Sequence, residues 1–229
     1  MRIWDVDPGY LDRQRLLGEH RELHGLYNIL TQGKKGYSRH PETLRWVGHV
    51  DALVLRHEQL VEEMTLRGYN HQSPLSISAE SSPVSWPEIF INTPSEQYEL
   101  LRGKQVVEQG RIPLPDSRRT LWAQHKYSSM ARDPHRYKSI GPEVASKSIT
   151  FEELADLLVQ ILRIPPLPGR IMNALQHMSG YIKNRDVSAV PFDENTSAVL
   201  LDYIRKGVTD EDIDYLNNST ALGELGVWI

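Results

Sequence analysis

The chain contains no cysteine, which excludes disulfides, thiolate zinc sites and iron–sulfur clusters and fits a cytoplasmic protein. No run of apolar residues is long enough to span a bilayer as a helix. Arg2, Trp4, Asp5 and Asp7 leave the opening residues without the apolar core of a secretory signal. There is no general excess of basic residues either: the formal net charge is -4, so the chain is not a uniformly cationic nucleic-acid binder.

What is present suits one or two folded domains: 229 residues, 39% of them hydrophobic. The charge is unevenly spread. Residues 102–147 hold 10 Lys and Arg against 4 Asp and Glu, whereas residues 148–229 hold 6 against 12. A basic middle of this kind can face phosphates, and it equally suits a solvated surface of mixed sign.

The punctuation is helical throughout. Asp7-Pro8 reads as an N-cap with proline in the first turn, opening a helix whose Leu16, Leu23, Tyr27 and Leu30 recur at roughly helical spacing up to Gly33. Pro41 opens a second helical stretch that stops at Gly68, kinked or split at Gly48. Residues 71–92, rich in Ser and Pro, read as irregular. Thr93-Pro94-Ser95-Glu96 is a capping box for a helix running towards Gly110, and Arg111 to Pro115 reads as a linker. Asp116 is expected to cap a basic helix through Trp122, Lys126 and Met130. Thr150 with Glu153 caps another, which must end before Pro165-Pro166. Helices from about Gly169 to Lys183 and from about Thr196 to Lys206 follow, the last stopping at Gly207, and Thr209 with Asp212 caps a short final one. With no hairpin signal and no repeat, the expected fold is all-α, in two helical domains at 1–115 and 116–229.

Two side-chain groups invite a chemical reading. His20 and His24 share a helix face at i, i+4, as zinc ligands can. Arg21 stands where the metalloprotease pattern requires glutamate, so packed or DNA-facing histidines are expected and neither a metal nor a cofactor is assigned. Aromatic and basic residues interleave around Trp122, Lys126 and Tyr127; such mixtures stack on bases and hold phosphates, or pack Trp122 into a core.

The opening Met1-Arg2, Gln14 and Glu19-His20-Arg21-Glu22-Leu23 resemble the pyrimidine-dimer DNA glycosylases, the phage endonuclease V-like family. The resemblance continues in Gly48-His49-Val50 and in Arg56, Leu60, Glu63 and Arg67-Gly68-Tyr69-Asn70, and it is assigned to residues 1–115. It implies a DNA glycosylase with AP-lyase activity on damaged pyrimidines, and double-stranded damaged DNA as partner. In that family the chain-terminal amine is the nucleophile and a glutamate on the first helix its partner, which implies Met1 and Glu22 here. Arg2 is too large for ordinary removal of the initiator methionine, so Met1 is expected to stay. An α-amine, with a reference pKa near 8, is partly unprotonated at neutral pH and can form a Schiff base with a deoxyribose carbon. Arg2, Gln14 and Arg21 fall at DNA-contacting positions, while Gly25 replaces an arginine of the family pattern. Glu19, one turn before Glu22 on a neighbouring face, is expected to matter less. Arg118, Arg119 and Lys126 of the basic middle are expected to add phosphate contacts.

His125-Lys126-Tyr127, Met130-Ala131 and Leu175-Gln176-His177-Met178 resemble a second family, the YbgA-like domain of unknown function, across residues 121–229. Asn173, His177 and Lys183 are either functional there or the polar face of a helix. The oligomeric state, the lesion and the role of residues 121–229 stay open. So do two alternatives: a non-catalytic nucleic-acid-binding module, and an enzyme acting on another modified base or on RNA.

Overall fold

Caps, prolines and apolar periodicity account for most of the elements in the computed structural model, which describes residues 1–76, 84–105, 107–183 and 196–229. All its regular elements among those residues are helices, and no strand occurs among them. None of the described helices is long and apolar enough to cross a membrane. The chain forms two compact units, Met1–Gly110 and Arg111–Ile229.

In the first unit α1 spans Arg13–Gln32, α2 Pro41–Arg45, α3 Val50–Leu66 and α4 Pro94–Lys104. The first helix begins later than Asp7-Pro8 suggests. Asp7 accepts from the Gly9 N–H and makes only a 3-10 turn at Pro8–Tyr10; Asp12, accepting from the Arg15 N–H, is the true N-cap of α1. Gly48, at φ +83°, lies between α2 and α3 and splits that stretch in two, because the left-handed conformation costs glycine nothing. The capping box at Thr93 and Glu96 forms as expected. Of the Ser- and Pro-rich segment 71–92, residues 77–83 lie outside the described residues, and the rest carries no helix. Helices α1 and α3 pack together, and Leu16, Leu23 and Leu26 of the first and Leu53 and Leu60 of the second are fully buried.

The second unit comprises α5 (Arg118–Met130), α6 (Pro134–Ser146), α7 (Phe151–Leu162), α8 (Pro168–Ser179), α9 (Thr196–Glu211), α10 (Asp214–Asn217) and α11 (Ala221–Glu224). Ser117, not Asp116, caps α5; Asp116 instead accepts from the Thr120 hydroxyl. Helix α9 runs past Gly207 because nothing there needs to turn. A Cβ at that position would lie 2.7 Å from Ile182 Cγ2, so the glycine serves close packing rather than termination. The core of this unit gathers Leu121, Leu154, Leu158, Ile171, Leu175, Ile204 and Leu225. Arg132 is buried in a two-pronged ion pair with Glu224, its Nη1 and Nη2 at 2.9 and 2.6 Å from the two carboxylate oxygens.

Candidate active site at the amino terminus

Residues 1–7 form no helix; they lie against α1, α3 and α4 through main-chain hydrogen bonds to buried side chains. The Arg56 guanidinium on α3 takes Glu19 of α1 in a two-pronged pair, at 2.8 and 3.1 Å, and donates to the Val6 carbonyl at 3.0 Å. Glu19 in turn accepts from the Trp4 N–H at 3.1 Å. Burial pushes the Glu19 carboxyl above its usual range, against the pull of Arg56. One residue on, Asp5 and Gln97 exchange two hydrogen bonds at 2.8 and 2.9 Å, and Arg45 pairs with the Asp5 carboxylate. Ile3, Trp4 and Val6 are buried. Glu19 is therefore the anchor of the amino-terminal segment.

This anchoring sets the position of the terminus. The Met1 amine lies 3.8 Å from Glu22 Oε1, and the Arg2 backbone N–H donates to Glu22 Oε2. The Met1 side chain is packed away at 7% exposure, while the Glu22 side chain keeps 42%. The Arg2 guanidinium donates to Asn92 at 2.7 Å and lies over the Trp4 ring at 4.4 Å. Gln14 and Arg21 are exposed on α1 and line an open groove with Arg13, Leu17, Gly18 and Glu108. Met1, Arg2 and Glu22 are thus brought together, and Gln14 and Arg21 share a groove on the helix that carries Glu22.

In the second unit the expected phosphate ligands differ in fate. Arg119 is exposed, whereas Arg118 donates to the Val144 carbonyl at 3.3 Å. Lys126 is half-buried, its Nζ within 5 Å of both the Tyr127 and Tyr215 ring centroids (4.8 and 4.9 Å), a cation–π position that supports the packing of those rings. Trp122 is half-buried against Tyr137. His125 is buried with Nδ1 at 2.9 Å from the Leu121 carbonyl, and burial pushes it down to about 4. Asn173, His177 and Lys183 are exposed.

A further cluster lies on the other side of α1. His20 and His24 meet His57 of α3 and His71, which follows α3. Sequence spacing pairs only the first two; the others come from separate elements that the fold alone brings in. Burial, then the neighbouring imidazoles, lower His20 to about 4, and burial also lowers His57 against the pull of Glu58 and the Ser73 backbone.

No curated protein and no solved structure matches the chain significantly. Two family models do: residues 126–189 match a protein of unknown function (DUF1722). Residues 1–77, which carry Met1, Arg2, Gln14, Arg21 and Glu22, match the pyrimidine dimer DNA glycosylase family.

Proposed function

We propose that the protein is a DNA glycosylase with AP-lyase activity on damaged pyrimidines, pyrimidine dimers foremost. The observation that carries this reading is a main-chain amine 3.8 Å from a half-exposed carboxylate, within a segment that matches the glycosylase family. In its unprotonated form the Met1 nitrogen attacks C1′ of the damaged nucleotide. The C1′–base bond breaks, the base leaves with its electron pair and a proton, and the sugar ring opens to give an imine between C1′ and the Met1 nitrogen. Removal of a proton from C2′ then expels the 3′ phosphate by β-elimination, and water hydrolyses the imine to regenerate the amine. Glu22 takes and returns protons at the amine and faces the positive charge that develops on the sugar. Gln14 and Arg21 contact the DNA backbone along the groove on α1, and Arg118 and Arg119 add phosphate contacts that carry no sequence information. C1′ is reached only in a distorted duplex, so a nucleotide is displaced on binding.

Borohydride tests the reading by reducing the imine to a stable amine. Incubation with ultraviolet-irradiated or abasic duplex and borohydride should give a covalent adduct whose peptide map ends at Met1. Acetylation of the amine, or residues added ahead of Met1, should abolish it. An adduct on Lys34, Lys35 or Lys104, or none, overturns the mechanism.

A further inference from the structure

We propose that His20, His24, His57 and His71 form a binding site for one divalent transition-metal cation of the zinc type, which ties α1 to α3 and to the residues that follow α3. The site does not rest on the proposed DNA chemistry. One ligand nitrogen from each of the four rings lies within 4.8 Å of every other. A tetrahedral zinc with bonds of about 2.0–2.1 Å has nitrogen–nitrogen edges of about 3.3–3.4 Å. His20 Nε2 and His24 Nε2 already stand 3.3 Å apart. The rings gather tilted and edge-on to one another, His57 having its centroid 5.0 Å from those of His20, His24 and His71 alike.

Packing alone accounts poorly for this group. His57 is fully buried, and its Nε2 has no hydrogen-bond partner, a state that costs free energy unless something else fills it. Its other nitrogen, Nδ1, lies 2.8 Å from the Glu58 carboxylate. A carboxylate behind an imidazole fixes the tautomer with the proton on Nδ1 and leaves the Nε2 lone pair for a metal. The same carboxylate supplies the negative charge that four neutral imidazoles lack. His71 is backed by the Ser73 hydroxyl, 3.3 Å from its Nε2. The donor set is all imidazole, which selects zinc, cobalt, nickel or copper over magnesium and calcium. Four protein ligands close the coordination sphere, the pattern of structural rather than catalytic zinc. Its place also fits a structural role: His20 and His24 flank Glu22 in sequence but leave α1 on the opposite side.

The test uses the full chain, stripped of metal by a chelator and titrated with Co(II) and then Zn(II). Wild type should take up one Co(II) with the intense visible bands of a tetrahedral site, lose them to Zn(II), and melt about 5–10 °C higher with metal at a hundredfold excess over its Kd. Because His57 is buried and its loss could unfold the unit, the informative variants are at the rim. Glu58→Ala, which leaves all four imidazoles, should weaken binding about 10–100-fold. His24→Gln and His71→Gln should weaken it further, and His135→Gln, on the surface of the second unit, not at all. Weak octahedral bands, no uptake by wild type, or uptake indifferent to Glu58, His24 and His71 overturns the site.

Discussion

Glu19 and Glu22 stand three residues apart in unlike surroundings, one buried against Arg56 and the other half-exposed beside the Met1 amine, and a pair of substitutions separates them. Glu22→Gln removes a half-exposed carboxylate whose pairing with the terminal amine contributes little to stability, so unfolding should shift by at most about 0.5 kcal/mol. Nicking of irradiated plasmid should fall about 10²–10⁴-fold, with DNA binding near normal. Glu19→Gln leaves the buried Arg56 guanidinium without its counter-charge and should cost about 3–5 kcal/mol in denaturant unfolding. A Glu22 variant that nicks like wild type would refute the catalytic assignment. Sequence made Glu22 visible only through the family resemblance, since a helix does not reveal what folds back onto it. Glu19 was hidden for the same reason: its partners Trp4 and Arg56 lie 15 and 37 residues away. His57 and His71 had no local signal joining them to His20 and His24.

At the scale of elements, the legible features were those whose cause is local. The capping boxes at Thr93 and Thr150 need only the residues three positions on, and both form. Helix α6 was missed although Asp133-Pro134 carries the same kind of signal, Asp133 accepting from the His135 and Arg136 N–H groups; Pro142 within it argues against a helix. Gly207 misled for the opposite reason, because its cause is Ile182, distant in sequence. Gly207→Ala should therefore not give the gain of about 1 kcal/mol that alanine brings to an open helix. Overpacking against Ile182 should instead destabilise the second unit by about 1–2 kcal/mol. The same change in an Ile182→Ala background should be neutral or stabilising, and unfolding midpoints of the four chains in this cycle measure the coupling. A stabilised single variant would show that α9 does not press on Ile182.

For the molecule as a whole, the two units fold around cores of their own, and acid should find the second through His125. Its folded pKa, about 4, lies below the 6.5 of a free imidazole, so the unfolded chain binds the extra proton between those values. Stability is then complete above pH 6.5 and is lost as pH falls towards 4, by roughly 3 kcal/mol in all. Urea unfolding of the second unit followed from pH 7.5 to 4 should show that decline, and His125→Gln should flatten it. An equal slope in both chains would place the acid sensitivity elsewhere.

The amino-terminal segment carries a consequence for the timing of synthesis. Arg2 bonds Asn92 and Asp5 bonds Gln97, partners 90 and 92 residues further along, so both bonds wait until that later stretch has been made. Until α4 has emerged and docked, residues 1–7 rest on Glu19, Arg45 and Arg56 without those two bonds. A chain cut short before α4 should therefore hold the proposed nucleophile less firmly beside Glu22 than the whole chain does.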